Sequence, residues 1–164
     1  MSLICTRRRL VLRAASAAGL CALPLPAPAQ DQNQTLAQRI LELANRERRK
    51  AGLHPLAAER RLTRAAQNLA GAMIRSGQMS HSADGRTLGQ RAARAGYQYR
   101  RLGENIAWIT TSNPADLASR FVQMWMQSPP HRDNLMDGRF SQTGIAIARA
   151  GNDIAAAQLF GAPQ

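Results

Sequence analysis

Apolar positions in the first half of the chain recur at the spacing of amphipathic helices. Leu36, Ile40 and Leu43 lie on one face of a first predicted helix, and the capping-box sequence TLAQ places its start at Thr35. Gly52 is predicted to end this helix, and a turn is predicted to follow it.

A second amphipathic helix is predicted over residues 60–76. Leu62, Leu69 and Met73 share its apolar face, and Gly77 supplies its C-cap. Several alanines and glycines on this segment predict close packing against a neighbouring element.

Two short elements are predicted next, after the loop MSHSADG that contains His81. A second capping box at residues 87–90 opens a short helix that closes at Gly96. Residues 102–109 are rich in apolar side chains and predict a strand, in which Glu104 lies.

The following helix has a clear start signal and an apolar face. Asn113 is predicted as its N-cap, with Pro114 at the first helical position. Leu117, Phe121 and Trp125 then form a stripe at i, i+4 and i+8, which predicts a core contact.

The last part of the chain predicts a further helix and a hairpin. Ser128 is predicted to cap a short helix that ends near Met136. Two apolar runs then flank the sequence GND, which is typical of a hairpin turn. With the strand that carries Glu104, the hairpin predicts a small antiparallel sheet flanked by helices.

The first 29 residues predict an export signal rather than part of the fold. A twin-arginine-like stretch precedes a twelve-residue, mostly apolar run that begins at Ala14, and the small-x-small sequence APA predicts cleavage between Ala29 and Gln30. The apolar run is shorter than the roughly 20 residues that a spanning helix needs, so no transmembrane segment is predicted.

The mature protein is therefore expected in the periplasm or outside the cell. A short segment at residues 30–35 is predicted to lead into a single domain over residues 36–164. Both cysteines, Cys5 and Cys21, lie in the signal. The domain must therefore be stabilised by its core without disulfides.

Charge is distributed unevenly in a chain of net charge +12. Residues 30–101 hold 14 basic and 5 acidic side chains, whereas residues 102–164 hold 4 and 5. All seven aromatic residues lie between Tyr97 and Phe160, so most of the basic half offers nucleic-acid bases no stacking partner. The arginines therefore predict a solvated basic face, and nucleic acid is not an expected partner.

Imidazole and carboxylate groups are the strong candidates for chemistry, because the mature chain has no thiol. His81 lies in a loop and His131 in the first turn of a predicted helix, where the helix dipole disfavours imidazolium. Glu104 enters an apolar strand and needs a partner there. These three side chains are a candidate shared cleft. Alternatively, Glu104 pairs with an arginine or a backbone amide while both histidines are solvated.

The order of several motifs resembles a known family. ANRERRKAGLHPL, MSH, GENIA, SPPHRDNLMDGRFSQTGIAI and QLF, in this order, resemble the CAP superfamily, or SCP domain, of cysteine-rich secretory proteins, antigen 5 and plant pathogenesis-related proteins. The chain is similar to its short, cysteine-free bacterial branch. The resemblance implies an α/β (α+β) fold, an α-β-α sandwich with a small, mainly antiparallel sheet between helical layers.

The resemblance also implies a central cleft with two histidines and two glutamates that can hold a divalent metal such as zinc. His81, Glu104 and His131 match three of these positions, and Ser128 stands where the second glutamate is usual. Asn105, beside Glu104, is a further expected cleft residue. The candidate metal ligands are therefore His81, His131 and Glu104, in an incomplete set.

A binding module is the preferred function, with a cleft that takes a small apolar or amphipathic ligand or a cell-envelope component, with or without a metal. One alternative is a metal-dependent hydrolase centred on His81 and His131. Another is a protein-interaction domain that docks an acidic partner on its basic helical face. The family implies no general reaction, so catalysis is less expected than binding.

Overall fold

The computed structural model describes residues 28–164, and the predicted export signal lies outside them apart from its last two residues. The chain forms five helices and four strands over this range: α1 Pro28–Lys50, β1 Ala57–Ala58, α2 Arg60–Ser76, α3 Leu88–Arg94, β2 Tyr99–Thr110, α4 Leu117–Gln127, α5 Pro129–Met136, β3 Gln142–Ala150 and β4 Asp153–Pro163. None of these helices is both long enough and apolar enough to cross a membrane.

The four strands form one mixed sheet in the order β1-β3-β4-β2. β3 and β4 form the predicted hairpin around Gly151, whose positive φ of 56° suits a tight turn. β4 pairs with β2 in an antiparallel ladder from Thr110 to Tyr99. β1 adds two residues parallel to β3 in a segment that the sequence predicted only as a turn.

Helices cover both faces of the sheet. α2 and α3 bury one face, while α1 and α4 bury the other through the predicted stripe of Leu117, Phe121 and Trp125. Gly144 allows the close contact of β3 with α2, because a Cβ there would overlap the backbone of Leu62 and Thr63. The α-β-α sandwich predicted from the sequence is confirmed.

The start of α1 differs from the prediction. The helix already begins at Pro28, so residues 30–35 are part of α1. Thr35 lies inside the helix, and its hydroxyl donates to the carbonyl of Asp31 at 2.9 Å. A capping box requires an extended threonine, so the TLAQ prediction was wrong.

The start of α4 also differs. Asn113 accepts a hydrogen bond from the backbone N–H of Ala115 at 2.9 Å, which closes a local turn instead of capping a helix. The helix begins later, at Leu117, after Asp116 in the left-handed conformation. An asparagine that can close a turn on its own backbone competes with its use as an N-cap.

Other local predictions are confirmed. α2 spans residues 60–76 and ends at Gly77, which adopts the left-handed conformation. The N-cap of α2 is Glu59. The capping box of Thr87 and Gln90 is present at the start of α3. Where the N-cap threonine is extended, the local pattern suffices to position the helix.

The expectation of a solvated basic face holds only in part. Arg48 and Arg91 are 0% and 1% exposed. Arg48 donates to four backbone carbonyls, including Leu135 and Phe140, so it joins α1 to the loops around α5. Burial also lowers the pKa of Arg48.

Candidate functional site

Glu104 lies on β2 with its carboxylate almost fully buried. His81 donates from Nδ1 to Oε1 of Glu104 at 2.7 Å, and Arg91 donates from Nη2 to Oε2 at 3.2 Å. Each carboxylate oxygen therefore has its own partner. Glu104 thus has a histidine partner and an arginine partner at once, while the cleft shared by His81, Glu104 and His131 stays a prediction.

Arg91 organises the loop around His81. From α3 it forms an ion pair with Asp84, donates to the backbone carbonyl of His81 at 2.8 Å and contacts Glu104. One buried guanidinium thus ties the loop to β2, and we call this set of contacts the Arg91 bridge. Sequence analysis did not single out Arg91 or Asp84.

His131 lies in the first turn of α5 and is partly buried. Burial lowers the pKa of its imidazole, and the charge of nearby His81 lowers it further. The sequence predicted a neutral imidazole from the helix dipole, whereas the structure supplies burial and His81 as the causes.

Asn105 and Asn134 hold α5 against β2. Asn105 is fully buried and donates from Nδ2 to the carbonyl of His131 at 2.9 Å. Asn134 donates from Nδ2 to the carbonyl of Glu104 at 3.1 Å and to Oδ1 of Asn105 at 3.0 Å. Asn105 therefore positions the backbone of His131, and its role as a cleft residue stays a prediction. Asn134 was missed, although it follows His131 by three residues and so shares its helix face.

Ser128 lies between α4 and α5, and its side chain makes no capping hydrogen bond. Three residues earlier, Trp125 donates from Nε1 to the carbonyl of Ile106 on β2 at 3.2 Å. Ser128 thus follows directly on the helix that covers β2.

A pocket of about 600 Å³ opens beside the His81–Glu104 pair. Its lining combines loop residues, the start of α3 and one side chain from β2: His81, Ser82, Gly85, Arg86, Thr87, Leu88, Gln90 and Glu104. His131, Asn105 and Ser128 are not part of this lining. Five of the lining residues lie in the sequence GRTLGQ, whose capping box was recognised only as a helix start.

The metal set implied by the family resemblance does not fit this arrangement. Both oxygens of Glu104 already accept hydrogen bonds. Within residues 28–164, no three histidine, cysteine, aspartate or glutamate side chains are grouped so that they could hold a metal ion. A zinc site needs three or four such ligands.

The fold and the site together define a class: an α-β-α sandwich with a histidine–glutamate pair on an outer strand of its sheet. The sequence model of the cysteine-rich secretory protein family, CAP, matches residues 41–160, most of the chain. The chain therefore belongs to the CAP family.

Bacterial relatives support the same assignment. The chain is 28% identical over 139 residues to the protein YkwD of Bacillus subtilis (strain 168), a match that covers 77% of this chain and 51% of YkwD. The chain thus spans about half the length of that relative.

Two solved structures share the fold. An extracellular protein containing an SCP domain from Bacillus anthracis str. Ames superposes with a TM-score of 0.69 at 26% identity, covering 85% of this chain and 45% of that one. An outer surface protein from Borrelia burgdorferi gives a TM-score of 0.67 at 22% identity, covering 85% of this chain and 97% of that one.

Proposed function

We propose that the protein is an exported binding protein whose pocket beside β2 takes a small amphipathic ligand or a cell-envelope component. The observation that carries this proposal is the pocket of about 600 Å³ at His81 and Glu104. Its volume lies within the roughly 300–1,000 Å³ of typical small-molecule sites.

The lining favours a ligand that has both an apolar part and a polar head. Arg86 contributes a cation, and Ser82 and Gln90 contribute hydrogen-bonding groups. Leu88 adds an apolar contact. A purely apolar ligand would shield these polar groups from water, which is costly.

The proposed location outside the cytoplasm rests on two supports. The first is the export signal predicted over residues 1–29. The second is the description of solved neighbours as an extracellular protein and an outer surface protein. Both favour the periplasm or the cell exterior, where envelope components are the available ligands.

Binding is better supported than hydrolysis. A hydrolase centred on His81 and His131 would need a general base or a metal-bound water. Glu104 is almost fully buried and accepts from both His81 and Arg91, which stabilises its ionised form and makes it a weaker base for a water molecule. The Arg91 bridge instead ties the pocket loop to β2, which favours a preorganised wall for binding.

The test is native mass spectrometry of protein recovered from the envelope of the cells that produce it. We expect a fraction with the added mass of a ligand, reduced in Arg86→Ala because the pocket loses its cation. Arg75→Ala is the matched control, since Arg75 is exposed on α2 and lines none of the described pockets. Equal occupancy in both variants, or no added mass in wild type, would contradict the proposal.

A further inference from the structure

The two edges of the sheet are finished differently. On the outer edge of β2, the carbonyl of Glu104 accepts from Asn134 and that of Ile106 accepts from Trp125. Side chains thus close this edge. On the outer edge of β3, β1 pairs only with Gln142 and Thr143. No strand in the described part of the chain pairs with residues 144–150 on that side.

The direction of the free backbone groups follows from the pairing with β1. The carbonyls of Ser141 and Thr143 accept from Ala57 and Glu59, so they point to the outer edge. Because backbone groups alternate along a strand, Ile145, Ile147 and Arg149 point their N–H and C=O groups the same way. By the same alternation, the even-numbered residues of β3 point their N–H and C=O groups toward the antiparallel partner β4 on the other side.

A groove of about 630 Å³ runs along this free edge. Its floor is β3, and its walls are helices on both sides, with lining residues Asn33, Gln34, Ala37, Gln38, Leu41, Ala58, Thr63, Gln67, Thr143, Ile145, Ala146, Ile147 and Ala148. Ala58 of β1 lies at one end. At the other, Arg149 donates to Asn33 of α1 at 2.8 Å.

None of these lining residues is charged, although the chain carries a net charge of +12. Asn33, Gln34, Gln38 and Gln67 present amides, which both donate and accept hydrogen bonds as peptide groups do. A charged ligand would find no counter-charge among the lining residues, and the cation at the end of the groove, Arg149, already donates to Asn33. A neutral chain of peptide groups matches both the amide walls and the strand edge.

We propose that the free edge of β3 binds a neutral, extended peptide segment of another protein. The peptide would add a strand beside β3, in line with the short strand β1. An exposed strand edge is a template for such pairing. Ile145 and Ala146 are only 6% and 4% exposed, since α1 and α2 flank the edge. The recess admits a single extended segment rather than the edge of a second folded copy. Residues 144–149 would accommodate about six peptide residues, or roughly 20 Å of strand.

This site is separate from the pocket at His81, and its test is independent of the proposed ligand. The probe is a panel of uncharged, labelled heptapeptides of alternating Ser/Thr and Val, including Ac-STVTVTS-NH2, applied at up to millimolar concentrations. Binding is read by fluorescence polarisation. Amide hydrogen exchange of Ile145, Ile147 and Arg149 is measured in parallel by NMR.

We expect saturable binding that slows exchange at these three amides. Two variants should weaken the affinity for the peptide by about tenfold or more. Ile147→Pro removes an outward N–H without removing a bond to β4, and Gln67→Trp fills the groove from α2. Asn68→Trp is the matched control, because Asn68 is exposed on the same helix but does not line the groove. Circular dichroism checks that each variant folds.

Three results would overturn the proposal. One is the absence of saturable binding by any peptide of the panel. Another is equal affinity for peptides that are N-methylated at alternate residues on the pairing edge, since these cannot form the ladder. The third is exchange protection of Ile145 and Ile147 in the free protein that increases with protein concentration, which would identify a second copy as the occupant.

Discussion

His81 and Glu104 are 23 residues apart in the chain, yet the imidazole Nδ1 and the carboxylate Oε1 are 2.7 Å apart. The carboxylate is buried, whereas the imidazole side chain is 59% exposed. The pair therefore joins the interior of the sheet to the open pocket. Arg91 donates to the second carboxylate oxygen, so the charge at this site is set by His81, Glu104 and Arg91 together.

Arg91→Met should destabilise the protein by about 3–5 kcal/mol, because it leaves the buried carboxylates of Asp84 and Glu104 without their shared cation. Urea denaturation measures the change in the free energy of unfolding. Arg94→Met is the matched control on the same helix, where the side chain is exposed. A loss of similar size in both variants would show that the Arg91 bridge is not the cause.

His131 should titrate below the ordinary histidine value of 6.5. In His81→Ala its pKa should rise, since the repulsion from His81 is removed, but should stay below 6.5 because burial remains. NMR titration of the ring protons measures both values. An unchanged His131 pKa in His81→Ala would contradict the proximity of the two rings.

The lowered pKa of His131 also predicts a pH dependence of stability. As the pH falls below about 6.5, the unfolded chain binds a proton that the folded state does not yet bind, so stability is lost in that window. Above that window the His131 imidazole is neutral in both the folded and the unfolded state, so it contributes nothing to the pH dependence of stability. The loss of unfolding free energy between pH 7.5 and pH 5.5 should therefore be smaller in His131→Ala than in wild type.

Zinc titration by calorimetry should give no specific heat beyond that of His81→Ala and His131→Ala. The physical reason is that Glu104 is committed to His81 and Arg91, which leaves too few free ligands for zinc. A stoichiometric heat in wild type that disappears in both variants would instead support the metal site implied by the family resemblance.

Gly144→Ala should destabilise the protein by about 3 kcal/mol or more, because the new methyl group overlaps the backbone of Leu62 and Thr63. Gly71→Ala on α2 is the contrast, since its methyl group meets only the flexible end of Arg75. There the gain in helix propensity, up to about 1 kcal/mol, should dominate. Thermal and urea unfolding of both variants test this opposite behaviour.

The sequence predicted most of the elements because their signals are local. Gly77 ends α2, and Thr87 with Gln90 opens α3, as expected. The two wrong helix starts, at Thr35 and Asn113, arose because threonine and asparagine can also bond to their own backbone. Local pattern alone does not distinguish these uses.

What the sequence by itself determined is the set of helices, the hairpin and the candidate side chains His81, Glu104 and His131. The tertiary structure alone decided that Arg91 is buried against two carboxylates and that β1 covers only the first residues of β3. The reason is physical: caps and periodicity depend on residues a few positions apart. The partner of a buried charge and the coverage of a sheet edge depend on segments that meet only when the whole chain has packed.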